Sequence, residues 1–407
     1  MNTAAMVRLL SFANGGRKDL TRFGLTTRSE ALRRAAQLRP DAVATIGPGR
    51  RKTFRQLESR VSCLASGLLG LGMANGDVVA IAAAHSDRTL EMHYAIAWAG
   101  GIAVPADPRL AFDGLCELIN DSQATILVLD DHHAAQTDAL IDHCPFVRAL
   151  VFCGEGPCPE MARAHDALIV AADPMADRGI GGEAIATLCY RRTDDGQWLG
   201  SQLSHQALCF ASLALAAEGS FSEAGTGLQA ITAVGAENLV FSGSLLLRGC
   251  AQAFLASETG LGAAIAELGI TDLMIPAAAL QGLLAERPQE ATLAGLGQIL
   301  IHRSQLDLQF GASLSGVRPA LEARYPAAAL RVGWGTPELC GIATVQPLPL
   351  AAGCAPAWTA CRLSRRLQTV GPTCCAGPTR ACRHCAAAPV AAAPGAGASR
   401  ARGPGEA

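Results

Sequence analysis

The apolar positions from residue 53 onward alternate between two periods. Apolar side chains from Leu57 to Leu71 recur at helical spacing and end at Gly72, whereas the run from Asp77 to Ala82 is short and continuously apolar, as in a buried strand. The further predicted elements here are helices over about 89–99 and 112–120 and strands over 102–104 and 125–129. Strands that alternate with helices predict a mostly parallel sheet with helices on both faces.

The alternation resumes after a segment rich in Gly, Pro and Ala, from Gly154 to Gly182. We interpret this segment as a joint between two units or a surface loop of low order. Beyond it, strands are predicted near 184–188, 228–234, 251–255, 272–275, 299–301 and 330–333, and helices over 204–217, 261–268, 277–285 and 317–325. The sequence therefore predicts an α/β fold of two stacked units, about 27–182 and 183–350, each a mostly parallel sheet with helices on both faces.

The two ends of the chain differ from this pattern. Residues 1–26 are expected to be an N-terminal extension, and residues 351–407 a low-complexity, disordered tail. The tail has seven arginines, no lysine, one acid and six cysteines, with few aliphatic side chains larger than alanine. Cys382 and Cys385 form one Cys-x-x-Cys pair without a matching second pair, so zinc binding is the weaker interpretation of this tail.

Charge narrows the possible partners. The chain has 33 basic and 35 acidic side chains, a net charge of −2, which disfavours a nucleic-acid partner bound through bulk phosphate neutralisation. No apolar run reaches the roughly 18 residues of a membrane span, and no leader pattern is evident, so we expect a cytoplasmic protein. Lys18 and Lys52 are the only lysines, which excludes lysine chemistry beyond position 52.

Four runs match a known family in order and spacing. They are Thr53–Leu57, Gly76–Ile81, Tyr94–Pro105 and Asn120–Ala124. Together they resemble the N-terminal half of the adenylate-forming (AMP-binding) acyl-CoA synthetase family, over about residues 27–345. The resemblance implies ligation of a fatty or aryl acid to CoA through an acyl-adenylate. It implies ATP and Mg²⁺ as cofactors, CoA as co-substrate and a small-molecule carboxylic acid as partner, and it leaves the oligomeric state open.

The segment Tyr190–Gly200 resembles the phosphate-binding loop of that family. The resemblance implies nucleotide contacts from Tyr190, Thr193, Gly196 and Gly200. A loop that cradles ATP needs small residues and a lysine. Here Asp194 and Asp195 occupy hydroxyl positions and would repel a triphosphate, and Leu199 replaces the lysine. No catalytic residue is therefore assigned in this loop.

Two later segments resemble the rest of the family's nucleotide site. In Trp334–Glu338, proline occupies the expected threonine position and the threonine lies one residue early. The turn Phe310–Ser315 resembles the turn that lines the adenine site, and Val234–Glu237 has a glutamate where the family has a histidine. The resemblance implies cofactor contacts from Gly311, Ala312, Trp334, Gly335, Thr336 and Glu338, with Glu338 also coordinating magnesium. A simple strand-to-loop turn is the alternative for Trp334–Glu338.

These departures predict a truncated, catalytically impaired acyl-CoA synthetase. Without a lysine after Lys52, neither family lysine can be present, and removing one positive group at a reacting centre costs about 100- to 1000-fold in rate. The alternative is a non-catalytic binding or interaction protein on the same scaffold. The two differ at the loop, because an active enzyme would need Arg191 or Arg192 to hold phosphate.

Overall fold

The computed structural model describes residues 26–193, 196–219, 221–222, 224–230, 234–255, 260–286, 295–303 and 317–348. Most of the predicted extension and the whole of the predicted tail lie outside these ranges. The helices are α1 (Arg28–Leu38), α2 (Phe54–Gly70), α3 (Asp87–Trp98), α4 (Phe112–Ser122), α5 (Thr137–His143), α6 (His165–Ala171), α7 (His205–Glu218), α8 (Ala236–Arg248), α9 (Leu261–Glu267), α10 (Leu280–Ala285) and α11 (Val317–Arg324).

The strands form two sheets. They are β1 (Val43–Gly47), β2 (Arg50–Thr53), β3 (Val78–Ala82), β4 (Ile102–Pro105), β5 (Ile126–Leu129), β6 (Ala149–Phe152), β7 (Ala162–Ala164), β8 (Ile185–Arg192), β9 (Trp198–Ser204), β10 (Thr226–Gln229), β11 (Ala251–Ala253), β12 (Asp272–Pro276), β13 (Gln298–Arg303), β14 (Ala329–Trp334) and β15 (Thr344–Pro347).

Both sheets are mostly parallel. The seven-stranded sheet has the order β7-β6-β5-β3-β4-β8-β9, in which only the β8–β9 pair is antiparallel. The eight-stranded sheet has the order β15-β14-β13-β12-β10-β11-β1-β2, with antiparallel pairs only at its two edges. The predicted α/β class, with two mostly parallel sheets flanked by helices, is confirmed.

Each sheet takes strands from both halves of the chain. β1 and β2 join the eight-stranded sheet, although its six other strands all follow residue 225. Conversely, β8 and β9 complete the seven-stranded sheet. β2 escapes prediction because its four residues, Arg50-Arg51-Lys52-Thr53, are all polar and carry no hydrophobic period.

The segment from Gly154 to Gly182 is more regular than predicted. It contains β7 and α6, and Ile169 of α6 is buried against the core. The interpretation of this segment as a joint or a loop of low order is therefore wrong for residues 162–171. These elements have only three and seven residues, too few for a clear period among many alanines.

Helices α7 and α8 lie between the two sheets. One apolar cluster contains Cys189 and Leu203 of the seven-stranded sheet, Leu300 of the eight-stranded sheet, and the inward residues of both helices. α7 begins at Ser204, whose hydroxyl accepts a hydrogen bond from the N–H of Ala207 at 3.2 Å, an N-cap. This layer places the end of β14 close to the β8–β9 hairpin.

A buried ionic network joins β2 to the helices of the seven-stranded sheet. The Lys52 ammonium lies 2.5 Å from Asp87 and 2.9 Å from Glu91, and all three side chains are buried. Arg60 adds an ion pair to Glu91 at 2.8 Å, and Arg50 one to Asp87 at 2.9 Å. Lys52, the only lysine among the described residues, thus has a structural role as a buried cation.

Candidate functional site

The segment predicted as a phosphate loop is mostly paired strand. β8 continues to Arg192, beyond the predicted end at 188, and pairs with β9. The connection is tight: the N–H of Thr193 donates to the carbonyl of Gln197 at 2.9 Å, and Gly196 has a φ of +79°, which favours glycine. Asp194 and Asp195 lie outside the described residues.

Tyr190 and Gly200 form a cross-strand packing pair. The Tyr190 hydroxyl donates to Asp121 at 2.8 Å, and its ring meets Trp198 edge-on with 6.3 Å between centroids. A Cβ at Gly200 would lie 3.1 Å from the Tyr190 ring, so the glycine makes room for it. Burial, with the hydrogen bond to Asp121, raises the pKa of Tyr190. Both residues have a packing role in the hairpin.

Arg192 is held on the outer side of the same hairpin. Its guanidinium lies 4.4 Å from the centre of the Trp198 ring and donates to Glu117 at 3.2 Å and to the carbonyl of Gly196 at 2.8 Å. Its cationic group is therefore already engaged by a ring, a carboxylate and a carbonyl.

The turn after β14 is built on two close backbone approaches. A Cβ at Gly335 would overlap the carbonyl of Gly341, and one at Gly341 would overlap the backbone nitrogen of Glu237. Gly341 also has a φ of +79°, and the carbonyl of Thr336 accepts the N–H groups of Leu339 and Gly341 at 2.9 and 2.8 Å. These contacts fix the turn against the first turn of α8.

The turn and the hairpin meet in one ion pair. Nε of Arg191 donates to Oε1 of Glu338 at 2.5 Å, with the side chains 32% and 20% exposed. Burial alone would raise the pKa of Glu338, but hydrogen bonds from Thr336 and Arg191 outweigh burial and lower it. Because β8 and β14 belong to different sheets, this pair bridges the two sheets.

Leu199 lies directly opposite Arg191 in the β8–β9 register. Directly opposed residues of an antiparallel pair have Cβ atoms about 4.5–5.5 Å apart on one face of the sheet. Leu199, which the family resemblance aligns with a lysine, is thus the immediate neighbour of the arginine that holds Glu338.

Glu237 lies at the start of α8, beside this cluster. Its carboxylate folds back over Gly235, where a Cβ would lie 2.6 Å from Oε1. Burial and the nearby Glu237 charge raise the pKa of Cys189 to about 12, so this thiol is protonated at neutral pH. The structure thus places Glu237 near Cys189 of β8.

The structure brings together some of the predicted site residues and leaves others apart. Glu338 meets Arg191 of the hairpin, and Thr336 bonds to Glu338. In contrast, Tyr190 and Arg192 bond to Asp121 and Glu117 of α4. Gly311 and Ala312 lie outside the described residues. The sequence analysis did not predict the Arg191–Glu338 pair. Two features of the sequence pointed to it: a bulky cation, Arg191, at a position where a small residue is expected, and an acid, Glu338, in the segment Trp334–Glu338.

Within the described ranges, no group of three His, Cys, Asp or Glu side chains is arranged to hold a metal ion. None of the described helices has the length and apolar character needed to cross a membrane. The nine cysteines of the same ranges are free thiols.

Comparisons with known proteins agree with this architecture. The family model of the AMP-binding enzymes matches residues 32–381. A 2-succinylbenzoate–CoA ligase from Arabidopsis thaliana is 42% identical over 80 residues, which cover 20% of this chain and 14% of that protein. An indoleacetate–CoA ligase from Aromatoleum aromaticum is 29% identical over 184 residues, which cover 45% and 36%. The matches span well under two thirds of these relatives.

A solved structure shows the same fold. The N-terminal domain of FACL13 from Mycobacterium tuberculosis superposes with a TM-score of 0.65 at 19% identity, over 79% of each chain. The family match includes most of the chain and extends past residue 350, into residues that the structure does not describe. This chain therefore belongs to the AMP-binding enzyme family.

Proposed function

We propose that this chain is a catalytically impaired member of the family, derived from an ATP-dependent ligase that joins a carboxylic acid to CoA. The Arg191–Glu338 ion pair, at 2.5 Å, carries this proposal. It occupies the place where the family resemblance puts the triphosphate and its magnesium ion. The runner-up, a binding protein on the same scaffold, differs only in retaining affinity for the acid or nucleotide.

In this fold, the carboxylate of Glu338 is not free to bind magnesium. Mg²⁺ is usually bound by one or two carboxylates together with substrate phosphates. Glu338 already accepts hydrogen bonds from the guanidinium of Arg191 and from Thr336. A metal ion would have to displace the arginine, whose charge remains at all accessible pH values.

The triphosphate does not fit either, because no free positive charge faces it among the described residues of the hairpin. Arg191 is neutralised by Glu338, and Arg192 is bound to Glu117. Leu199 offers no charge in the lysine position, and Asp194 and Asp195 add two negative charges to the connection. Like charges near phosphate oxygens cost about 1 kcal/mol each even when partly screened.

The C-terminal segment does not compensate for this loss. Residues 351–407 contain seven arginines but no lysine, so they cannot supply the second lysine that the family resemblance requires.

The proposed acid is aromatic. The two relatives named above act, by their names, on 2-succinylbenzoate and indoleacetate, which are both aromatic carboxylates. We therefore propose to test this chain with 2-succinylbenzoate, indoleacetate and a fatty acid as substrates.

Calorimetric titration of the parent chain with Mg²⁺-ATP tests the proposal. We expect no heat of binding at millimolar ATP. Arg191→Ser is the informative variant because it frees Glu338, and Arg192→Ser is the matched control because it leaves the Glu338 pair in place. Binding by the parent with a micromolar dissociation constant, unchanged in Arg191→Ser, would contradict the proposal.

A further inference from the structure

Arg28 is a buried cation for which the described part of the chain supplies no counter-charge. It is the first residue of α1 and is 5% exposed. Among the described residues, no carboxylate lies within ion-pair distance of its guanidinium, and its Nη2 has no hydrogen-bond partner. Lys52, in contrast, is buried between two carboxylates. A guanidinium cannot lose its proton, so burial of Arg28 without an anion is strongly unfavourable.

The groups that face Arg28 are neutral. Its guanidinium lies 5.1 Å from the centre of the Tyr94 ring. Burial raises the pKa of Tyr94, and it raises that of Cys209 to about 12. Burial and the Arg28 charge lower the pKa of His205 to about 4 and hold that of His93 well below its ordinary value. At neutral pH, none of these groups carries a negative charge.

Glu30 is the acid nearest in sequence, and it has another role. Its carboxylate accepts the N–H of Thr26 at 2.7 Å and that of Thr27 at 2.9 Å, which closes the capping box of α1. It makes no ion pair with Arg28.

A small cavity lies beside the guanidinium. It leaves about 20 Å³ for the centres of water-sized molecules and is lined by Arg28, Tyr94 and Ser212 with apolar residues of α7 and α8. A space of this size holds one or two particles of water size. It is too small for phosphate or for the carboxylic acids that this family ligates. The lining residues include Arg28, the hydroxyl-bearing Tyr94 and Ser212, and the thiol-bearing Cys209.

We propose that this cavity binds a single halide-sized monovalent anion, chloride under ordinary conditions, between Arg28 and Ser212. The anion supplies the charge that Arg28 lacks and joins the start of α1 to α7 and α8. This site is independent of the Arg191–Glu338 pair and of the proposed loss of ligase activity.

Urea unfolding at constant ionic strength tests the proposal, with sodium chloride replacing sodium gluconate up to 0.3 M. For the parent chain, we expect the urea midpoint to rise with chloride. Arg28→Met should remove this rise, and Arg34→Met, an exposed arginine on the same helix, should retain it. A chloride response of equal size in parent and Arg28→Met overturns the proposal.

A second measurement does not depend on the stability of Arg28→Met. Crystals of the parent chain grown in sodium bromide should show an anomalous scattering peak between Arg28 and Ser212. Water alone in the cavity at saturating bromide, without an anomalous peak, also overturns the proposal.

Discussion

Arg191 and Leu199 are direct neighbours across the β8–β9 pair, so the residue that the family resemblance aligns with a lysine lies beside the arginine that neutralises Glu338. A lysine at 199 would bring a second positive charge next to Arg191. Restoring the lysine therefore cannot by itself restore the site. The arginine and the missing lysine have to be considered as one change.

Two variants separate these effects. Leu199→Lys alone should change ATP affinity less than threefold, because Arg191 still occupies Glu338. Leu199→Lys with Arg191→Ser should bind Mg²⁺-ATP at least tenfold more tightly than the parent, since it frees the carboxylate and places one cation at the phosphates. Isothermal titration measures both. If the double variant Leu199→Lys with Arg192→Ser gains as much affinity for Mg²⁺-ATP, the Arg191–Glu338 pair is not what prevents nucleotide binding.

Lys52 should be essential for stability. Lys52→Met leaves Asp87 and Glu91 buried without their shared cation, and breaking a buried ion pair in this way costs about 3–5 kcal/mol. Arg51→Met changes an exposed side chain of the same strand and should cost less than 0.5 kcal/mol. Urea unfolding of both variants checks this, and equal midpoints would show that the network contributes little.

Asp272 should make the protein less stable as pH rises. It is fully buried, and burial raises its pKa from 3.8 to about 6, despite hydrogen bonds from Thr271 and Ser222. The unfolded chain therefore ionises first, and stability falls as pH rises from about 4 to about 6. The shift corresponds to about 3 kcal/mol.

Asp272→Asn removes this titration. The free energy of unfolding of the variant should fall less than that of the parent between pH 4 and pH 7. Asp173→Asn, at an exposed position, should keep the parent profile. Chemical denaturation at several pH values gives both curves, and parallel curves for parent and Asp272→Asn would refute the assignment.

Gly335 should tolerate no side chain. Gly335→Ala forces the turn away from Gly341, and should cost about 2–4 kcal/mol and break the Arg191–Glu338 pair. Gly70→Ala, at the exposed end of α2 with open space around it, should be neutral or stabilising. Thermal unfolding of the two variants distinguishes a packed turn from a mobile one.

The sequence predicts several helices and strands that have clear apolar periods, and it misses others, including the apolar helix α8 and strand β6. α2, α3 and β3 lie within a few residues of their predicted bounds. β2 is missed because it is entirely polar, and α6 because its neighbours suggest a loop. Both are stabilised by long-range contacts, which no local pattern reports.

The pairing of residues in the candidate site could not be predicted from the sequence. The family resemblance indicates Leu199 and Glu338 separately, each by its position in a motif. The contact between Arg191 and Glu338 depends on β8 and the turn after β14 meeting across two sheets, although the two residues are 147 positions apart in the chain. Such a contact follows from the topology and not from spacing.

Release of pyrophosphate by the parent chain is the most direct test of impaired ligase activity. The assay contains ATP, Mg²⁺ and CoA with 2-succinylbenzoate, indoleacetate and a fatty acid in turn. We expect no release above the background without acid. Turnover within the usual enzyme range of about 1–1000 per second with any of these acids would contradict the account.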